Sequence, residues 1–427
     1  MLFKKILFVL ILILGFTLSQ DSLHTNQSQE MSHSILFDSN RSMRSGVENI
    51  LTIQKGVTII EDKLLKTSWF ESNSFAGKSG NVLGRFAKYL LVDIPINFSF
   101  ILFNHEYYGH ASRYREFDLG NIDYQFNSPP PYGEGGGYAK ISGWPDNFNI
   151  QKKLAVWQGG LEAHDILNKR LSIQMMANRQ SHYSENILYF WTWQDRFQYI
   201  QSFDEMPNNI NGALNDPQGY VWLLNHNAGA ETTDEMIMSL DDLQKKDMLN
   251  LINPFVWFSL YRQIKTYIID GNTTASLPTI KLSGFNYLPS FRTTLSPFGP
   301  EYHLENYIQY KNIISLIDVS IGDQTFFNDW WGLGINLNNI YRNNLYSADI
   351  YVNAWHQPNI NFDKEFSISE KNEIGFSFSL RNYFEINSQK FPISIIAELG
   401  YKTAGFLQGY TIDDSPIIML GIGINNY

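Results

Sequence analysis

Between Pro278 and Tyr427 the chain alternates, residue by residue, between apolar side chains and small or polar ones, and a period of two restricts this stretch to β-strands. Ile374, Phe376, Phe378 and Leu380 fall on one face, and Gly375, Ser377, Ser379 and Arg381 on the other. The same division separates Leu333, Ile335 and Leu337 from Gly334, Asn336 and Asn338. It recurs in Ile393, Ile395, Ala397 and Leu399 against Ser394, Glu398 and Gly400, and in Ile418, Leu420, Ile422 and Ile424 against Met419, Gly421 and Gly423. Roughly eight such segments fit, each near the nine to eleven residues with which a tilted strand crosses a bilayer.

Two architectures can use this pattern. In a soluble sandwich the apolar face turns inward, whereas in a membrane barrel it turns out to lipid and the small residues face a narrow lumen. The repeated small residues opposite the apolar face favour the barrel. The final aromatic, Tyr427, directly after the last strand, resembles the terminal signature of bacterial outer-membrane barrels. The other end agrees with export: Lys4 and Lys5, the apolar run Ile6 to Leu14 and the small or polar stretch Gly15 to Ser19 read as a secretory signal peptide over residues 1–20. The expected location is the outer membrane of a Gram-negative-type bacterium, with outer-membrane lipid as one partner.

Residues 21–80 are rich in Ser, Asn and Gln and read as a partly ordered lead-in. Helical patterning runs from Val82 to Glu116, then over Asn149 to Arg179, Glu185 to Phe203 and Thr233 to Ile269. The expected fold class is therefore α+β: a mainly helical domain over residues 81–275, followed by an antiparallel membrane β-barrel of about eight strands over 276–427. The chain contains no cysteine, so its stability must come from a core, a metal or a membrane. A formal charge of −10 without a basic block excludes nucleic acid as a partner, because phosphate binding needs clustered Lys and Arg.

Chemistry concentrates in one helical segment. The apolar run from Tyr89 to Phe103 leads directly into Asn104-His105-Glu106-Tyr107-Tyr108-Gly109-His110. Two histidines five apart lie about 140° from each other on an α-helix, too far to meet one ion. A one-residue π-type bulge would bring them together, and Gly109 is placed to ease it. This His-Glu-x-x-Gly-His run resembles, at the level of the motif, the signature of the dipeptidyl-peptidase III family of zinc metallopeptidases, in which a helix about fifty residues later supplies a glutamate ligand. Gly160-Leu161-Glu162-Ala163-His164 occupies that place. The resemblance implies His105, His110 and Glu162 as zinc ligands and Glu106 as general base.

The residue types themselves suit that chemistry. Zinc takes neutral imidazole and carboxylate, and a catalytic site keeps one position for water. His164 competes with Glu162 for the third position, since the two lie on one helix facing differently. Asp165 is a candidate to orient an imidazole, Arg113 to bind a substrate carboxylate, and Tyr132 and Tyr138, beside the Gly-rich run 133–137, to approach an oxyanion. The expected function is a zinc-dependent hydrolase at the outer membrane, acting on a peptide or another carbonyl substrate. The alternatives are a non-catalytic barrel serving as channel or binding scaffold, and a lipid-modifying outer-membrane hydrolase.

Overall fold

The structure is a computed structural model that describes residues 33–64, 75–145, 148–203, 205–207, 215–360, 371–386 and 393–424. The expected signal peptide and the terminal Tyr427 lie outside the described residues. The chain is mixed helix and sheet. Eight long antiparallel strands follow one another as hairpin neighbours: β7 (Phe285–Ser296), β8 (Gly299–Tyr310), β9 (Ile313–Gly322), β10 (Trp331–Arg342), β11 (Tyr346–Pro358), β12 (Asn372–Ile386), β13 (Ile393–Lys402) and β14 (Ser415–Ile424). Two further strands extend the sheet to ten: the short β6 (Ile280–Leu282) beyond β7, and β1 (His33–Phe37) beyond β14. The segment expected to be a lead-in thus supplies an edge strand, and after it the helix α1 (Met43–Leu64).

Among the described residues no ladder joins β1 to β6, so the sheet is open rather than a closed barrel. Helix side chains occupy its free edges instead. Asn49 of α1 accepts from the Leu36 backbone N–H at 2.7 Å and donates to the Leu36 carbonyl at 3.0 Å, and Thr52 donates to the Ser34 carbonyl at 2.7 Å. At the far edge Asn250 accepts from the Thr293 N–H at 2.9 Å, while Asn250 and Arg196 both donate to the Thr293 carbonyl. These bonds fill part of each edge and leave less of it open to further pairing.

The faces of the sheet follow the sequence alternation, with the apolar side outward. Ile374, Phe376 and Phe378 are 67%, 54% and 47% exposed, and Leu420 and Ile422 are 59% and 54% exposed, whereas Ser377, Ser379, Arg381, Ser394 and Glu398 are buried. This is the reverse of a soluble sandwich, which hides its apolar face. The polar side is covered by helices. Arg44 of α1 pairs with Glu398 at 2.7 Å, Arg381 bridges Glu398 and Glu48, and Arg170 and Lys169 pair with Glu48 and Asp318.

The remaining helices are α2 (Phe75–Lys88), α3 (Ile94–Phe103), α4 (Ala111–Glu116), α5 (Ile150–Asn178), α6 (Tyr183–Gln201), α7 (Asp216–Asn227), α8 (Leu240–Asp247) and α9 (Pro254–Tyr261). A hairpin of β2 (Ile122–Phe126) and β3 (Gly137–Ile141) separates α4 from α5, and a two-stranded pair joins β4 (Gln180–His182) to β5 (Thr274–Ser276). The expected helix over Thr233–Ile269 is broken into short pieces, and α7 arises where no helix was expected. The change of period near residue 278 marks a change of secondary structure, yet both parts share one core. Val47 and Leu51 of α1, Leu167 and Leu171 of α5, Phe255 of α9, Tyr307 of β8 and Leu316 of β9 belong to a single buried cluster.

Candidate metal centre

Helices α2, α3 and α4 form one continuous rod with two π-helical segments, Tyr89–Asp93 and Asn104–His110. The second is the bulge that the five-residue spacing of the histidines demands. It widens the turn at His105 and His110 so that both imidazoles share a face, with their Nε2 atoms 3.1 Å apart. Asn104 ties the bulge to α5 by donating to the Ala163 carbonyl at 2.9 Å.

Glycines allow α5 to come this close. A Cβ on Gly109 would stand 2.7 Å from Gly160 Cα and 2.8 Å from the Gly159 carbonyl oxygen, and one on Gly160 would stand 2.3 Å from His105 Nε2. The role of Gly109 is thus close backbone packing as much as freedom to bulge. Helix α5 itself starts on Asn149, whose side chain accepts from the N–H groups of Gln151 and Lys152.

The third member of the group is Asp216, in the first turn of α7. Its Oδ2 lies 3.1 Å from His105 Nε2 and 3.0 Å from His110 Nε2, and all three residues are buried. His110 Nδ1 lies 2.7 Å from the Val156 carbonyl oxygen, which can only accept, so Nδ1 carries a proton and Nε2 is the nitrogen that faces the centre; burial lowers the imidazole, but Asp216 and Glu106 outweigh it and, without an ion, push it up to about 9. The two Nε2 atoms and the carboxylate oxygen thus converge on one point, where either a proton carried by an imidazole or a cation can be shared between them. Burial raises the Asp216 carboxyl, but the two imidazoles overcome it and hold the group below the usual carboxylate range. A buried His105–His110–Asp216 group of this kind can hold a metal ion.

Glu162, the expected third ligand, is elsewhere. Its carboxylate is buried against Arg113, with contacts of 2.6 and 2.8 Å from Nη2, and it accepts from the Gly409 N–H at 2.7 Å. Arg113 also binds Glu116 and the Tyr410 carbonyl, so it anchors the loop between β13 and β14 and is not free for a substrate carboxylate. His164 stands next to the group without joining it. Its ring centroid is 4.9 Å from that of His105, and its ring lies against the Ile101 backbone. Burial pushes its pKa well below the ordinary value, so it is a neutral imidazole. Asp195 lies 3.8 Å away.

Asp165 pairs with Arg196 at 2.9 Å and orients no imidazole. Tyr132 is exposed and donates to the Leu91 carbonyl at 2.6 Å, and Tyr138 donates to Asp123 in the β2–β3 hairpin. Glu106 lies in the π-turn with its Oε2 buried and unpartnered. Two phenols that sequence reasoning missed border the group. Tyr199 of α6 has its ring 6.0 Å from that of His105, and Tyr114 of α4 is held above its usual pKa by burial and then by Asp216 and Glu106. Asp216 was missed because it lies 106 residues after His110. Its only signal, Asn215-Asp216-Pro217, marks a helix start and not a ligand.

Compared with known protein families, curated proteins and solved structures, the chain matches none.

Proposed function

We propose that this chain is a metal-dependent hydrolase, a zinc peptidase by its site chemistry, held in an outer membrane by its strands. The observation that carries the reading is the convergence of His105, His110 and Asp216, with one buried oxygen of the neighbouring Glu106 left without a partner. Zinc distances of about 2.0–2.2 Å set tetrahedral ligand edges of roughly 3.3 Å, near the 3.0–3.1 Å separations of the three donor atoms. Two histidines and one carboxylate form a donor set of the kind found in catalytic zinc sites, with Asp216 in the place the motif resemblance gave to Glu162. A zinc ion there supplies a Lewis acid and a water more acidic than bulk water.

The protein groups divide the remaining work. Glu106 takes the proton of the attacking water and returns it to the leaving group. Tyr199 and Tyr114, which burial keeps protonated, are donors for the oxygen of the substrate carbonyl. The Val156 carbonyl fixes the tautomer of His110, as outer partners of metal-bound imidazoles do.

The membrane reading rests on the outward apolar face of strands 10 to 15 residues long. The helical rod adds exposed apolar residues of its own. Its stretch Gly77–Glu116 is long and apolar enough to cross a membrane, and Leu83, Phe86, Leu90 and Leu91 are exposed on it. With α1 and α5 against the polar face of the sheet, an open channel has less support than an enzyme.

The deciding experiment measures zinc content and hydrolysis of peptide and phospholipid substrates for the unmodified chain and Glu106→Gln. Stoichiometric metal in both, with turnover lost only in the variant, is expected. Protein without metal and without chelator sensitivity would instead favour a binding scaffold. Hydrolysis of the lipid ester alone would favour the lipid-modifying enzyme.

A further inference from the structure

Asp195 of α6 is a carboxylate beside the metal group that none of the roles above uses. Its Oδ2 lies 3.8 Å from His164 Nδ1, and the His164 ring centroid is 4.9 Å from that of His105. Those two steps keep it within about three residues of extended peptide from the histidines, at roughly 3.3–3.6 Å per residue. It is also more open than the group itself. Its side chain is 32% exposed, against 12% or less for His105, His110 and Asp216, so a molecule arriving from solvent can touch it.

What Asp195 lacks is a base. Other carboxylates of the same helices have one: Glu162 binds Arg113, and Asp165 and Asp247 share Arg196, the next residue along α6. Among the described residues Asp195 meets no lysine or arginine and accepts no hydrogen bond. His164 is neutral and brings it no charge. Burial raises the Asp195 carboxyl, and His105 alone opposes that rise.

A half-buried carboxylate with an open side and no resident cation is complementary to a cation that comes with the substrate, and N⁺–H···O⁻ bonds are among the strong ones. The other two carboxylates of the site do not compete for it, since Asp216 faces the histidines and Glu106 has the attacking water. Building on the hydrolase reading, we propose that Asp195 is a specificity-determining residue that selects substrates with a primary ammonium group close to the scissile bond. That group is either the α-ammonium of a peptide N-terminus or the side-chain ammonium of a lysine.

The test uses the full chain in detergent, supplied with one equivalent of zinc, and reads zinc content and the calorimetric binding of three hydroxamates. Leucine hydroxamate carries a free α-ammonium, Nα-acetyl-lysine hydroxamate a side-chain ammonium only, and Nα-acetyl-leucine hydroxamate neither. At least one of the two cationic probes should bind about tenfold or more tightly than the neutral one, and which of them does so tells the N-terminus from the side chain. In Asp195→Asn, which keeps the shape and loses the charge, zinc is retained and that preference falls to about one. A chain that takes up no zinc refutes the hydrolase reading and this inference together. A zinc-loaded chain that binds the three probes alike or not at all, or an Asp195→Asn variant that keeps the preference, overturns the ammonium site alone.

Discussion

The ligand roles separate cleanly when each carboxylate is altered in turn. Asp216→Ala removes a donor atom from the metal group, so metal should be lost in dialysis while the chain stays folded, as read by metal analysis and circular dichroism. Glu162→Ala should do the opposite. Metal is retained, but Arg113 is left as a buried charge without its main partner, and stability in denaturant titration should fall by about 3–5 kcal/mol. Stoichiometric metal in the Asp216 variant would dismiss the proposed group. The motif and its spacing led to Glu162 because a sequence counts residues along the chain, and a buried carboxylate on a neighbouring helix looks alike whether it meets a metal or an arginine.

At the scale of elements, the π-turn is the device that makes the histidines neighbours. Deleting Tyr108 restores a spacing of four between them but removes the extra residue of the bulge, shifting Gly109 and His110 against α5. Gly160→Ala is the gentler probe, since its Cβ would stand 2.3 Å from His105 Nε2. It should lower metal affinity by at least tenfold in competition with a chelator, with the helix content unchanged in circular dichroism. An unaltered affinity would show that α5 can retreat and that the close approach is not required. The bulge was legible in advance as a condition, because at 3.6 residues per turn two histidines five apart meet one ion only if the helix is bulged, whereas α7 was not, because its apolar positions do not repeat along one face.

Across the whole molecule, the open sheet with its capped edges and outward apolar face defines how the chain meets its surroundings. Leu420→Arg places a charge in the middle of that face, where Leu420 is 59% exposed. In a bilayer the change should cost about 2–4 kcal/mol, measured by unfolding from liposomes. In a soluble protein the same exposed substitution would be nearly neutral, so a shift within about 0.5 kcal/mol would sink the membrane reading. A second expectation concerns β1. Removing residues 33–37 exposes the edge of β14 and frees Asn49 and Thr52, so the truncated chain should aggregate in sedimentation even though the metal group is untouched.

The eight long strands, the facing of their side chains and the need for a bulge at His105–His110 follow from sequence alone, because each depends on a period that neighbouring residues carry. Two things were decided by tertiary structure: the third member of the metal group, and the return of β1 to pair with the last strand. Each depends on residues more than a hundred positions apart meeting in space, and local periodicity holds no record of such meetings.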